Sequence, residues 1–364
     1  MATVFLHIGT MKSGSSFLQS TCEENRRTLA TAGIRYVNTR RSWGAVHDLR
    51  RRRTQGEADA WRALARRLRR SATDSLVSNE LLCQIPEQLI QRVVSSLAPH
   101  ELRVILTVRD ITRVVPSHWQ ERIQNGSLVG WMEFCETVSA EPETTSASQK
   151  FWRHYDAVQV ISAWSNVLSS DRITIVTVPT SGEKPELLWD RFLSAMGVPP
   201  IATKPATRAN PSLVGAVSAE LLLKVNAELT DVARHDRSVS VKGPLAKRTL
   251  APRAPVEPRY ALTREHHAIL RARAAHLADG LRSTGVKVVG NLDEIVPPED
   301  PLAGVEPGDI TDTQLLEAAV TGLAGMSRQL TRRHAALTDL KRERASLLAE
   351  RRKLARQQQG QVEP

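Results

Sequence analysis

The opening stretch, Thr3-Val4-Phe5-Leu6-His7-Ile8 followed by Gly9-Thr10-Met11-Lys12-Ser13-Gly14 and then Ser15-Ser16-Phe17-Leu18-Gln19-Ser20, constrains the fold more than any other. The first six residues are a β-branched and apolar run, the pattern of a buried strand. Two glycines then bracket a lysine. From Ser15 the spacing turns helical, with Phe17, Leu18 and Thr21 on one side. A strand, a glycine-bracketed turn and a helix N-terminus make an anion site. Backbone N–H groups at the turn point at the ligand, and the helix dipole favours negative charge.

Further strands alternate with helices. Strands are expected at Gly33–Val37, Asp74–Ser78, Leu102–Val108 and Arg172–Val178, with a small edge strand over Gly285–Gly290. Leu102–Val108 is nearly continuously apolar, as in a parallel strand covered on both faces. Helices are expected over 57–70, 86–97, 110–124, 153–168, 187–196, 212–229 and 262–285. Residues 40–55 and 139–149 read as irregular. The alternation implies an α/β chain with a parallel sheet and right-handed crossovers. Ligands on such sheets sit at the carboxyl ends of the strands. Lys12, Glu80 and Arg109 each follow a strand end, so they are expected to converge on one crevice.

The order of residues in the turn is informative. A nucleotide-triphosphate P-loop places its lysine after the second glycine, followed by a hydroxyl for Mg²⁺. Here Lys12 precedes Gly14, and Ser15 and Ser16 follow it. Lys-Ser-Gly-Ser-Ser between a strand and a helix resembles the 5′-phosphosulfate loop of sulfotransferases that use 3′-phosphoadenosine-5′-phosphosulfate (PAPS). Met11 stands where that family often has proline. A second family signature is an arginine ending a strand and a serine eight positions later. Arg109 and Ser117 stand at that spacing, with Arg113 between them and Pro116 as a departure. Weaker likeness runs through Tyr155-Asp156, Trp164, Trp189–Leu193 and Asn210–Leu213, so the resemblance covers about residues 3–295.

The resemblance implies a P-loop-like three-layer fold and transfer of a sulfuryl group from PAPS to a hydroxyl or amine. It implies that Lys12 stabilises the leaving nucleotide and that Ser13, Gly14, Ser15 and Ser16 donate to the phosphosulfate. Arg109 and Ser117 would hold the 3′-phosphate, and no metal is required. Glu80, in Ser78-Asn79-Glu80, is the candidate general base. His47, in the segment expected to face the acceptor, is the runner-up, and His118 is third. Lys242-Gly243 and Lys247-Arg248 suggest a loop covering the nucleotide. Two other readings stay open. A P-loop kinase or NTPase would need ATP and Mg²⁺, and a non-catalytic nucleotide-binding scaffold would bind without turnover.

The formal net charge of +11 suggests an acidic ligand or an arginine-rich solvated surface. The acceptor is open among a small molecule, a glycan and a glycolipid, and no nucleic-acid partner is expected. Three widely spaced cysteines (Cys22, Cys83, Cys135) and no apparent signal peptide suggest the cytoplasm. No apolar run approaches the ~18 residues of a membrane span. The domain is expected over 1–296, with a Pro- and Gly-containing linker at 297–310 and a helical tail at 311–364. Leu316, Leu323, Leu330 and Leu337 repeat every seven residues in that tail. Ala319, Met326, Leu340, Leu347 and Leu354 form a second row, broken by Arg333. The two rows suggest a coiled coil, hence a homo-oligomer through 311–358; the bland alternative is a lone charged helix.

Overall fold

The computed structural model describes residues 2–51, 59–202, 204 and 215–359. Six strands form one sheet: β1 (Thr3–Gly9), β2 (Ile34–Tyr36), β3 (Asp74–Ser78), β4 (Glu101–Val108), β5 (Ile173–Thr177) and β6 (Lys287–Val289). Their order is β2-β3-β1-β4-β5-β6, and every pairing is parallel. The register sets Leu6 opposite Val77 on one side and Val104 on the other.

Side chains alternate across the sheet with period two. Val4, Leu6, Ile8, Val104, Leu106, Ile173 and Ile175 share one core with Val46, Leu49, Trp61, Ile90, Ile161 and Trp164. Phe5, Leu76, Ile105 and Val176 lie in another with Leu18, Leu29, Trp189 and Phe192. Both faces are therefore covered by helices, as all-parallel sheets require. The helix after β1, α1 (Ser15–Glu24), covers the second face. The return from β4 to β5 uses the Ala157–Ser165 helix on the first face. The chain thus leaves β1 and β4, neighbours in the sheet, toward opposite faces. That switch opens a crevice at their carboxyl ends.

Some expected elements differ. Residues 40–51 are helical, within Thr39–Arg51. Ser42, Ala45, Val46 and Leu49 make the buried stripe, at 0, 3, 4 and 7. Arginines on either side of the stripe and Gly44 within it obscure the period. The helix expected at 153–168 is two helices, Ser146–Tyr155 and Ala157–Ser165, parted at Asp156. The Asp156 carboxylate accepts the Gln159 N–H and caps the second. Residues 238–250 form a π-helix where a loop is expected, and Lys242 Nζ donates to Asn125 Oδ1 at 2.8 Å. The expected helix opening at 210–213 lies outside the described residues.

The chain divides into two compact units. The first holds the sheet and comprises 1–121, 129–210 and 260–305. The second comprises 122–128, 211–259 and 306–364. Its longest element is the 48-residue helix Asp312–Gln359, about 70 Å at ~1.5 Å per residue. The beginning of this helix is docked within its unit. Ala318 is fully buried, and Gln329 Nε2 donates to the Pro244 carbonyl at 2.8 Å and Thr249 Oγ1 at 3.0 Å. Gly325 permits this approach, because a Cβ there would meet Thr249 Cγ2 at 2.2 Å. Leu316, Leu323, Leu330, Leu337, Leu340 and Leu347 are exposed. Among the described residues no helix is long and apolar enough to cross a membrane.

Candidate functional site

The turn after β1 carries the unusual backbone. Gly9 and Gly14 have φ of 96° and 87°, and Lys12 has φ of 60°. A non-glycine residue there is strained and is held by its surroundings. Gly14 is the N-cap of α1, and no side chain caps that end. A Cβ on Gly14 would lie 2.6 Å from Leu188 Cδ2. A Cβ on Gly9 would lie 2.9 Å from the Glu80 Cβ. Gly9 therefore lets the end of β3, with Glu80, sit directly against the loop.

Arg109 meets the same loop from β4. Its Nη1 donates to the Lys12 carbonyl at 3.1 Å. Its Nε is buried without a hydrogen-bond partner. Burial, reinforced by the neighbouring Arg113 charge and opposed by Asp110, lowers its pKa to about 10. Asp110 Oδ1 instead accepts the N–H and O–H of Thr112, both at 2.7 Å. Arg113 Nη1 donates to the Pro179 carbonyl at 2.8 Å. Ser117 Oγ donates to the Arg113 carbonyl at 3.2 Å, inside the Ile111–Gln124 helix that contains Pro116. Lys12 Nζ lies 2.7 Å from Glu121 Oε2 on that helix.

The serines divide by direction. Ser13 is fully buried, and its Oγ donates to the Thr10 carbonyl at 2.5 Å and meets Thr107 Oγ1 at 2.6 Å. Its hydroxyl is engaged inward, so the expected ligand O–H donor is not offered; its backbone N–H stays with the loop. Ser15 is buried, whereas Ser16 is exposed. Ser16, Gln19, Ser20, Glu23, Glu24, Thr39 and Arg40 line a cavity of about 500 Å³ beside α1.

Glu80 opens a short 3₁₀ turn, whose cap is the Asn79 side chain accepting the Leu81 N–H. Gln19 Nε2 donates to Glu80 Oε2 at 3.0 Å and to Ser78 Oγ at 3.3 Å. Gln84 at the end of the turn reaches Met11 Sδ at 3.1 Å. His47 is exposed, on the side of its helix away from the Ser42–Leu49 stripe. His118 meets the Tyr155 hydroxyl at 2.7 Å and stacks on Phe134.

Lys12, Glu80 and Arg109 thus meet around one turn. The sequence alone assigns no role to His7, Gln19, Thr107 or Ser78. His7 was the visible signal, a titratable residue inside an apolar strand. A buried guanidinium N–H without a partner, an uncapped helix N-terminus and a lysine held at positive φ suit an anionic ligand with more than one charged group. Compared with family models, curated proteins and solved structures, the chain matches none.

Proposed function

We propose that this chain is a PAPS-dependent sulfotransferase with a P-loop-like nucleotide site. The observation that carries the reading is the Arg109–Lys12 contact. It joins the loop after β1 to the arginine after β4 at the topological switch. The residues fit the donor. Lys12 and the backbone N–H groups of residues 13–16 take the phosphosulfate end. Arg109, with its unpaired Nε, and Ser117 take the 3′-phosphate.

Bound PAPS supplies an activated sulfuryl group, whose bond to the 5′-phosphate oxygen breaks as the acceptor oxygen or nitrogen bonds to sulfur. Lys12 neutralises the charge gathering on the departing phosphate, which requires its ammonium to leave Glu121. Glu80 takes the acceptor proton and is held for that task by Gln19. The sulfuryl group carries less charge than a phosphoryl group, so lysine and backbone donors replace a metal in this scheme.

The cavity beside α1 is the acceptor site in this reading. Gln19 both lines it and holds Glu80. Glu23 and Glu24 in its wall favour hydroxyl or ammonium donors over an anionic acceptor. The exposed leucine row of the long helix makes the chain self-associate. The enzymatic reading is tested by sulfuryl transfer from PAPS in EDTA, across a panel of polyol and amino acceptors. Turnover lost in Lys12→Ala and Glu80→Gln supports it. Transfer that requires Mg²⁺, or ATP as donor, contradicts it.

A further inference from the structure

His7 sits on the β1 face that otherwise carries Phe5, with the Phe192 ring edge-on at 5.1 Å. It is fully buried. A titratable ring in that place needs partners, and it has two. Nδ1 is 2.7 Å from Ser78 Oγ, and Nε2 is 3.1 Å from Thr107 Oγ1. Ser78 continues to Gln19 and so to Glu80. Thr107 continues to Ser13 and so to the Thr10 carbonyl.

The directions of these bonds can be worked out. The Glu80 carboxylate only accepts, so the Gln19 amide must turn its NH₂ toward it. The same NH₂ then donates to Ser78 Oγ. The Ser78 hydroxyl proton is left for His7 Nδ1, which accepts. His7 Nε2 must therefore carry the proton and donate to Thr107. Thr107 in turn donates to Ser13, whose hydroxyl ends on the Thr10 carbonyl. Every donor in the chain finds an acceptor with neutral, Nε2-protonated His7. A second ring proton would leave the Ser78 hydroxyl proton competing with Nδ1–H. Burial of the ring, which lowers its pKa to about 3, keeps it neutral.

We propose that His7 is a positioning residue whose relay through Ser78 and Gln19 holds the Glu80 carboxylate aimed at the acceptor, while Thr107 and Ser13 tie the same relay to the phosphosulfate loop. This rests on the sulfotransferase reading. It goes beyond that reading by coupling the candidate base to the donor loop through one oriented chain of hydrogen bonds.

The test uses the full-length protein and three variants: Gln19→Met, which keeps volume and removes the amide; His7→Gln, which keeps a donor and an acceptor; and His7→Leu. Gln19→Met is expected to lower kcat by ~10-fold or more, part of the ~10²–10⁴ that a positioned base contributes. KM for PAPS is expected to hold. His7→Gln is expected to recover activity relative to His7→Leu. Independently of turnover, ¹⁵N-histidine NMR at pH 7 reads His7, assigned by its loss in His7→Gln. The expected wild-type state is Nε2–H with bare Nδ1, relaxing toward a tautomer mixture in Gln19→Met. An Nδ1–H or imidazolium wild type overturns the relay. So does a Gln19→Met enzyme with wild-type kcat. A wild type with no turnover on any acceptor and no binding of 3′-phosphoadenosine-5′-phosphate overturns the sulfotransferase reading, and the positioning role with it.

Discussion

Lys12 Nζ lies 2.7 Å from Glu121 Oε2, so the loop lysine is paired with a carboxylate where the proposed reaction requires a phosphate. Both side chains are partly exposed, at 26% and 37%. The pair is therefore weak and easily exchanged. Partly exposed pairs contribute ~0.2–1 kcal/mol. A dianionic ligand at the helix N-terminus outcompetes it.

Glu121→Gln therefore frees Lys12. Affinity for 3′-phosphoadenosine-5′-phosphate is expected to rise ~2- to 5-fold by calorimetry, the equivalent of that pair energy. Lys12→Ala is expected to lower it. A drop in affinity in Glu121→Gln would mean that Glu121 orients Lys12 for the ligand rather than competing with it.

Arg109→Met removes a buried guanidinium whose Nε has no partner in the protein. A buried unsatisfied donor costs ~1–3 kcal/mol, so the free protein is expected to be as stable as wild type or more so. Stabilisation by the 3′-phosphorylated nucleotide should vanish in the same variant. Arg109→Lys should not restore it, because an ammonium lacks the planar fork. Thermal melts with and without nucleotide read both effects.

Gly9→Ala brings a Cβ to 2.9 Å from Glu80 Cβ, at a φ of 96°. Gly33→Ala has a similar φ of 86° but nothing within 4 Å, so it reports the backbone cost alone. The control should lose ~1–2 kcal/mol. Gly9→Ala should lose more and also lower sulfuryl transfer, because it pushes Glu80 away from the loop. Equal losses with full transfer would show that the close approach is not required.

His7 carries a pH signature. Its folded pKa, about 3, lies below the ordinary 6.5 of the unfolded chain. Between those values the unfolded state binds the proton and the folded state does not. Stability from this group is complete above about pH 6.5 and falls as pH drops toward 3, by at most ~1.4 kcal/mol per unit. Chemical denaturation from pH 7 to 4 should show this slope in wild type and a shallower one in His7→Gln.

Leu323 and Leu330 are each 70% exposed on the long helix. Sedimentation of the intact chain is expected to give a mass above the monomer. Leu323→Lys with Leu330→Lys should return the monomer without lowering the melting temperature of the sheet unit. A monomeric wild type rejects self-association through this row.

The sheet was readable where strands were apolar and short. β1, β3, β4 and β5 follow from β-branched runs bounded by polar residues. The sites past their ends follow from the geometry of parallel sheets, which is why Lys12 and Arg109 were expected to meet. The Thr39–Arg51 helix is hard to read, because arginines crowd both of its ends and Trp43, Gly44, His47 and Asp48 stand between its four buried residues. The His7 relay was hidden for another reason. Its bonds join residues 71 and 100 positions apart, and only the register of β1 against β3 and β4 brings them together. The inward turn of the Ser13 hydroxyl depends on the same register, through Thr107. Hydroxyls of the loop looked alike in the sequence and separate only once β4 lies alongside.

The most direct test of the central claim is thermal stabilisation by 3′-phosphoadenosine-5′-phosphate against ADP, each with and without Mg²⁺, in wild type, Lys12→Ala and Arg109→Ala. At 100 times the dissociation constant, linkage predicts ~2.7 kcal/mol of stabilisation. The predicted result is a Mg²⁺-independent shift for the 3′-phosphorylated nucleotide alone, lost in both variants. Equal shifts with ADP, or shifts that appear only with Mg²⁺, would contradict the sulfotransferase account and favour a P-loop kinase or NTPase.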